Sequence, residues 1–286
     1  MDKIVTEIQN ISQGLLKNKE VTSVIGYCKG TLPGQMRPIV ITDEKDVSKL
    51  DFNDHCYNNL SLYLTKMHKI PGKTAVIAKG CDIRSILLLI QETQIKREDV
   101  KIIAISCGGV KNSKGEFFSK CYNCKVGTTP PIHDYLIGSS SPPTSDKNPL
   151  TEKIKELDNM TFEQRWDFWR DELSKCIKCY ACRQICPLCY CTQCLTDVSM
   201  PQWVETSSHD RGNFSYHLMR AWHLAGRCIN CGECERACPV NIPLNTIYQK
   251  LALKIKELYD YEPGIKEDAS LVLRTYKQTD DESFIL

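Results

Sequence analysis

Cys176-x2-Cys179-x2-Cys182-x3-Cys186-Pro187 recurs 52 residues later as Cys228-x2-Cys231-x2-Cys234-x3-Cys238-Pro239. Three thiolates this close in sequence wrap one [4Fe–4S] cubane, and the cysteine held by the following proline ligates the other cluster of a pair. The expected chemistry is single-electron transfer. Zinc needs four ligands at each site and has no use for a ligand pattern shared between two sites. Disulfides would need an oxidising compartment.

A second group of cysteines depends on the elements that carry it. TAVIAKG (74–80) and VKIIAIS (100–106) read as short buried strands flanking a helical pattern over 82–95, which is a βαβ unit. Cys81 follows the first strand and Cys107 the second, so a right-handed crossover brings both to one sheet edge. Cys121-x2-Cys124 follows a short loop later, after Gly115. The four cysteines point to a third [4Fe–4S] site. The competing reading has Cys81 and Cys107 as buried apolar thiols and Cys121/Cys124 as half of a zinc site. No histidine stands at ligand spacing beside that pair.

Cys28 and Cys56 fall in an expected strand and helix and read as buried thiols. Cys189, Cys191 and Cys194 follow the first run closely, and the sequence leaves open whether they replace a ligand, build an additional metal site or stay free. With eight cysteines available for two cubanes, His217 and His223 read as packing or hydrogen-bonding groups. Arg183, Arg227 and Arg236 each adjoin a cluster cysteine and would raise a cluster's potential, less so where solvent screens them. Lys79, Arg84 and the amides opening the helix at Asp82 read as a solvated helix end, with capture of an anionic cofactor as the alternative.

Around these sites the expected architecture is an α/β N-terminal domain followed by a mainly α-helical two-[4Fe–4S] ferredoxin domain. Ile4, Ile8, Ile11 and Leu15 have helical spacing, VTSVIGYC and RPIVIT read as strands, and 53–67 reads as a helix. The Ser- and Pro-rich stretch after Gly138 is a loop, giving units of 1–138, a 139–150 linker, 151–258 and a 259–286 tail. A helix over 151–174 leads into the first run. Forty-one residues separate the runs, more than a compact bacterial ferredoxin usually allows, and FSYHLMRAWHLAG reads as a helix entering Cys228. After Pro239, Ile247, Leu251, Ile255 and Leu258 mark another helix. The weakly periodic last twenty-odd residues are expected to bind a partner or to be loosely ordered.

The 17 cysteines are an odd number, and the N-terminus lacks the apolar run of a secretion signal, so a cytoplasmic location is expected. No apolar stretch is long enough to span a bilayer, and direct membrane insertion is not expected. A net charge of +2 with interspersed signs gives no field for nucleic acid.

The block KGCDIRSILLLIQETQIKREDVKIIAISCGGV, then KCYNC, CIKCYACRQICPLCYCTQC and WHLAGRCINCGECERACPV, resembles the iron–sulfur beta subunits of the deazaflavin-dependent hydrogenase and formate dehydrogenase group, over about residues 20–250. The resemblance implies one cluster at Cys81, Cys107, Cys121 and Cys124, and two more on the repeated runs. It implies passage of electrons between a catalytic partner and a flavin or other carrier. Flavin-binding members carry a glycine-rich segment near the N-terminus and a further domain, and this sequence shows neither. Gly26, Gly30 and Gly34 lack the spacing that brings backbone to a pyrophosphate. A cluster-only electron-transfer subunit of a multi-subunit oxidoreductase is therefore expected, partnered by catalytic and electron-accepting subunits of a formate dehydrogenase, hydrogenase or heterodisulfide-reductase-like complex. The alternatives are a flavin-dependent subunit that reduces a deazaflavin or nicotinamide carrier, and a scaffold whose metal serves only folding.

Overall fold

The computed structural model describes residues 2–67, 71–272 and 278. Its first part is a five-stranded sheet in the order β2-β1-β3-β4-β5. The strands are β1 (Ser23–Lys29), β2 (Met36–Ile41), β3 (Thr74–Lys79), β4 (Val100–Ile105) and β5 (Tyr135–Ile137). β1 and β2 form an antiparallel hairpin, and the β1/β3, β3/β4 and β4/β5 pairs are parallel. The three-residue β5 was not expected from sequence, being too short to show a period.

The sheet is covered on both faces, and the alternation along β3 shows how. Ala75 and Ile77 pack with Ile8 and Leu15 of α1 (Asp2–Lys17), whereas Val76 and Ala78 pack with Ile83, Ile86 and Leu87 of α2 (Gly80–Gln91). Leu88 and Leu89 of α2 turn the other way, into a separate core with Leu173, Leu224 and Tyr248. Full burial of each such leucine contributes about 1.5–3 kcal/mol. The run SILLLI is thus apolar on both sides because α2 is the wall between the sheet and the C-terminal part.

That part begins with α3 (Pro149–Asp158) and α4 (Phe162–Ser174), followed by the short α5 (Ala181–Gln184), α6 (Asp210–Leu224), the short α7 (Glu233–Arg236) and α8 (Leu244–Tyr259). Three sequence expectations need correction. The single helix expected over 151–174 is two, because Thr161 caps α4, accepting from the Gln164 N–H while the Gln164 side chain accepts from the Thr161 N–H. The helix expected over 53–67 is mostly loop, with one π-helical turn at Tyr63–Met67. There Asn53 accepts from the His55 N–H, Asn59 from the Ser61 N–H and Asp82 from the Leu60 N–H, offering the backbone partners that a helix would not use.

The start of the tail is also not loose. Arg84 donates twice to the Pro263 carbonyl, Gln91 donates to the carbonyls of Lys266 and Glu267, and Tyr261 is buried, so residues 261–267 strap across α2. Beyond Val272 the tail lies outside the described residues, Gln278 excepted. Among the described residues no helix is long and apolar enough to cross a membrane.

Candidate iron–sulfur sites

β3 and β4 pair in parallel register from Thr74↔Val100 to Lys79↔Ile105, so both chains leave the sheet at the same edge. Cys81 is the second residue of α2 and Cys107 lies two residues past β4. Cys121 and Cys124 return over that edge on a loop closed by a hydrogen bond from the Cys107 N–H to the Gly127 carbonyl, 2.8 Å. All four cysteines line one small pocket. Gly80 permits this approach, since a Cβ there would lie 2.0 Å from the Val126 carbonyl oxygen.

Backbone N–H groups point at the sulfurs: Gly109 donates to Cys107 Sγ (3.4 Å) and Val110 to Cys121 Sγ (3.3 Å). Burial pushes the Cys81 thiol up to about 12, partly opposed by Lys120 and Lys79, and raises Cys107 and Cys121. Thiolates so placed need compensating charge, which iron would supply, and N–H···S bonds would tune a cluster held there. The donor set therefore fits a cubane. Lys79 takes no part as a solvated cation or an anion receiver. Its side chain is 1% exposed and bonds the equally buried Asp82 at 2.7 Å, while Asp82 also accepts from the Lys79 N–H and so occupies the helix start.

The two repeated runs fold alike. Two residues past the first cysteine of each, Lys178 and Asn230 take the left-handed conformation, and each donates its N–H to that cysteine's Sγ at 3.4 Å. Two residues further, Tyr180 and Gly232 are again left-handed and open α5 and α7, which carry Cys182 and Cys234. Cys186, the proline-linked cysteine of the first run, lies within electrostatic reach of Cys228, Cys231 and Cys234 of the second, where it adds to the burial that raises all three thiols. Cys238 accepts from the Ile242 N–H at 3.4 Å. Cys179 is exposed, whereas Cys176, Cys182 and Cys234 are buried.

The 4Fe-4S binding domain family matches residues 223–243, which contain the whole second run. The F420-dependent formate dehydrogenase subunit beta of Methanocaldococcus jannaschii is 39% identical over 88% of this chain and 89% of its own length. This chain belongs to that beta-subunit family. Subunit beta of the F420-dependent formate dehydrogenase 1 of Methanococcus maripaludis is 24% identical over 89% of both chains. These alignments run over 342 and 348 positions against 286 residues here, so both relatives carry internal segments that this beta-family chain lacks. A chain of the F420-reducing [NiFe] hydrogenase complex from Methanosarcina barkeri overlaps 40% of this one at 16% identity and a TM-score of 0.33, too little to carry an argument.

In this beta-family chain, charged and polar side chains join the sheet edge and the end of α2 to the ferredoxin runs. Lys120, beside Cys121, pairs with Glu233, beside Cys234. Arg84 lies within electrostatic reach of Cys81, Cys124 and Cys228. Arg227 and Tyr190 both donate to the buried Glu92 of α2. The arginines expected to raise cluster potential by net charge are each matched by a carboxylate: Arg183 by Asp197, Arg227 by Glu92 and Arg236 by Glu233.

His217 is a packing group against the Tyr216 ring, and neither of its ring nitrogens has a hydrogen-bond partner among the described residues. His223 is exposed. Cys28 lies in β1 as expected, whereas Cys56 is in a loop; both are buried, and burial pushes Cys56 up to about 12.

Proposed function

We propose that this chain is a cluster-only electron-transfer subunit of a formate dehydrogenase-type complex, holding three [4Fe–4S] clusters. Cys81, Cys107, Cys121 and Cys124 hold one, Cys176, Cys179, Cys182 and Cys238 the second, and Cys228, Cys231, Cys234 and Cys186 the third. When bound, these clusters supply single-electron exchange. The chain's own residues position and insulate. The observation that carries the reading is that the four sheet-edge cysteines share one pocket whose Lys120 reaches Glu233 of the second run, so the sites adjoin.

The exposed Cys179 supports an exit at the first run, and the sheet edge supplies the other end. Support for the absence of flavin comes from the internal segments that the relatives have and this chain lacks. Hydride chemistry needs a cofactor that takes two electrons and a proton together. The partners are then a catalytic subunit and an electron acceptor. On this reading the chain is a relay, with no substrate chemistry of its own.

Anaerobic purification tests the reading. About twelve iron and twelve sulfide per chain are expected, with no stoichiometric flavin, no activity toward formate or deazaflavin alone, and reduction by a viologen. Eight iron would remove the sheet-edge site, and one flavin per chain would favour the flavin-dependent alternative.

A further inference from the structure

Besides the buried Cys28 and Cys56, three cysteines belong to none of these sites. Cys189, Cys191 and Cys194 lie on the irregular chain behind Pro187, and all three line a single cavity of about 740 Å³ between that chain and α6. Arg183, Arg220 and Arg227 line the same cavity, Arg183 bonding Cys194 itself, and the exposed His223 lines it too. Two of these guanidiniums are neutralised by Asp197 and Glu92.

Arg220 has no carboxylate partner among the described residues, and it is only 5% exposed. It donates to the Tyr248 hydroxyl and, at 2.9 Å, to the Cys182 carbonyl, while its Nε has no hydrogen-bond partner among the described residues. It lies within electrostatic reach of Cys186 and Cys234 first, and then of Cys189. A buried charged donor left without an acceptor is destabilising. An anionic acceptor in this cavity would give the Arg220 Nε a partner.

We infer that Cys189, Cys191 and Cys194 hold a fourth iron–sulfur cluster in this cavity, with Arg220 as its counter-charge. The spacing Cys189-x-Cys191-x2-Cys194 supplies three thiolates within six residues, comparable to the first three of each ferredoxin run. Among the described residues no three donors gather closely enough to hold a single ion, which disfavours zinc. A cubane spreads its thiolates over separate corners, and its sulfides accept hydrogen bonds of the kind the Arg220 Nε can donate. Three thiolates would leave one iron without a cysteine, and His223 is a further candidate ligand on the cavity lining. The site also touches the first run directly, because Tyr216 lines the cavity and its hydroxyl contacts Cys182 Sγ at 3.5 Å.

The inference rests on the reading of the chain as an iron–sulfur protein, but its test is a difference and does not depend on the total. The full chain and its Cys189→Ser/Cys191→Ser/Cys194→Ser variant are reconstituted anaerobically with iron and sulfide, and iron, sulfide and zinc are counted. The variant is expected to hold about four fewer iron and four fewer sulfide, whether the unaltered chain holds three other clusters or fewer. Equal iron in both proteins, or loss of one zinc in place of iron, overturns the inference. If the triple variant does not fold, Cys191→Ser alone serves, since Cys191 is exposed. It should lose the same iron or change one component of the electron paramagnetic resonance spectrum. Unchanged iron with an unchanged spectrum overturns the inference equally.

Discussion

Lys120 Nζ and Glu233 Oε1 lie 3.5 Å apart, with side chains 7% and 1% exposed. One residue precedes Cys121 and the other Cys234, so a buried ion pair ties the sheet-edge site to the second ferredoxin run. Burial alone would lower the Lys120 pKa, but Cys81, Glu233 and Cys231 around it raise it, so it stays charged.

Breaking that pair from one side leaves a buried charge uncompensated. Glu233→Ala should cost about 3–5 kcal/mol, read as a lower denaturant midpoint of the anaerobic holoprotein. Adding Lys120→Met should recover part of the loss. If the double variant is as unstable as the sum of both single ones, the two residues are not coupled.

Gly80 is the second structural test. A methyl group there would run into the Val126 backbone, which cannot yield as a flexible side chain would. Gly80→Ala should therefore push the Cys124 loop off the sheet edge and lower the iron content by about four per chain, while the two ferredoxin runs keep their clusters. Full iron content in a folded Gly80→Ala protein would contradict the sheet-edge site.

Ligation across the runs is tested by Cys186→Ser. Because Cys186 faces Cys228, Cys231 and Cys234, the variant should alter the resonance signal of the cluster on the second run and spare that of the first. Cys238→Ser should do the reverse. Each cysteine serving its own run would sink this topology.

His217 makes a pH-dependent contribution. Burial, with Arg220 and Lys178 nearby, lowers its pKa from 6.5 to about 3. Above pH 6.5 the ring is neutral in folded and unfolded chains alike. Between pH 6.5 and about 3 only the unfolded chain takes up the proton, so stability falls with pH by up to about 1.4 kcal/mol per unit. His217→Leu should flatten this slope between pH 6.5 and 5.5 and cost little at pH 7.5, since neither ring nitrogen is hydrogen-bonded. An unchanged slope in anaerobic denaturation would show that other groups set the acid sensitivity.

The sequence by itself determined what depends on local spacing. The two Cys-x2-Cys-x2-Cys-x3-Cys-Pro runs wind into matching loops because each places left-handed residues at the same steps. The short apolar, β-branched runs and the helical pattern between them marked β3, α2 and β4, and their order brought Cys81 and Cys107 to one edge. The tertiary structure alone decided contacts between segments far apart in the chain. Lys120 meeting Glu233, Arg227 meeting Glu92 and the 261–267 strap on α2 leave no periodic trace, since each partner reads as an ordinary surface charge or turn. The misread helix over 53–67 has the same cause. Its Leu60 N–H is claimed by Asp82 from another element, and a long-range acceptor of that kind is invisible to local propensity. The three cysteines behind Pro187 became interpretable only when folding put them on one cavity with Arg220, whose Nε is unpartnered among the described residues.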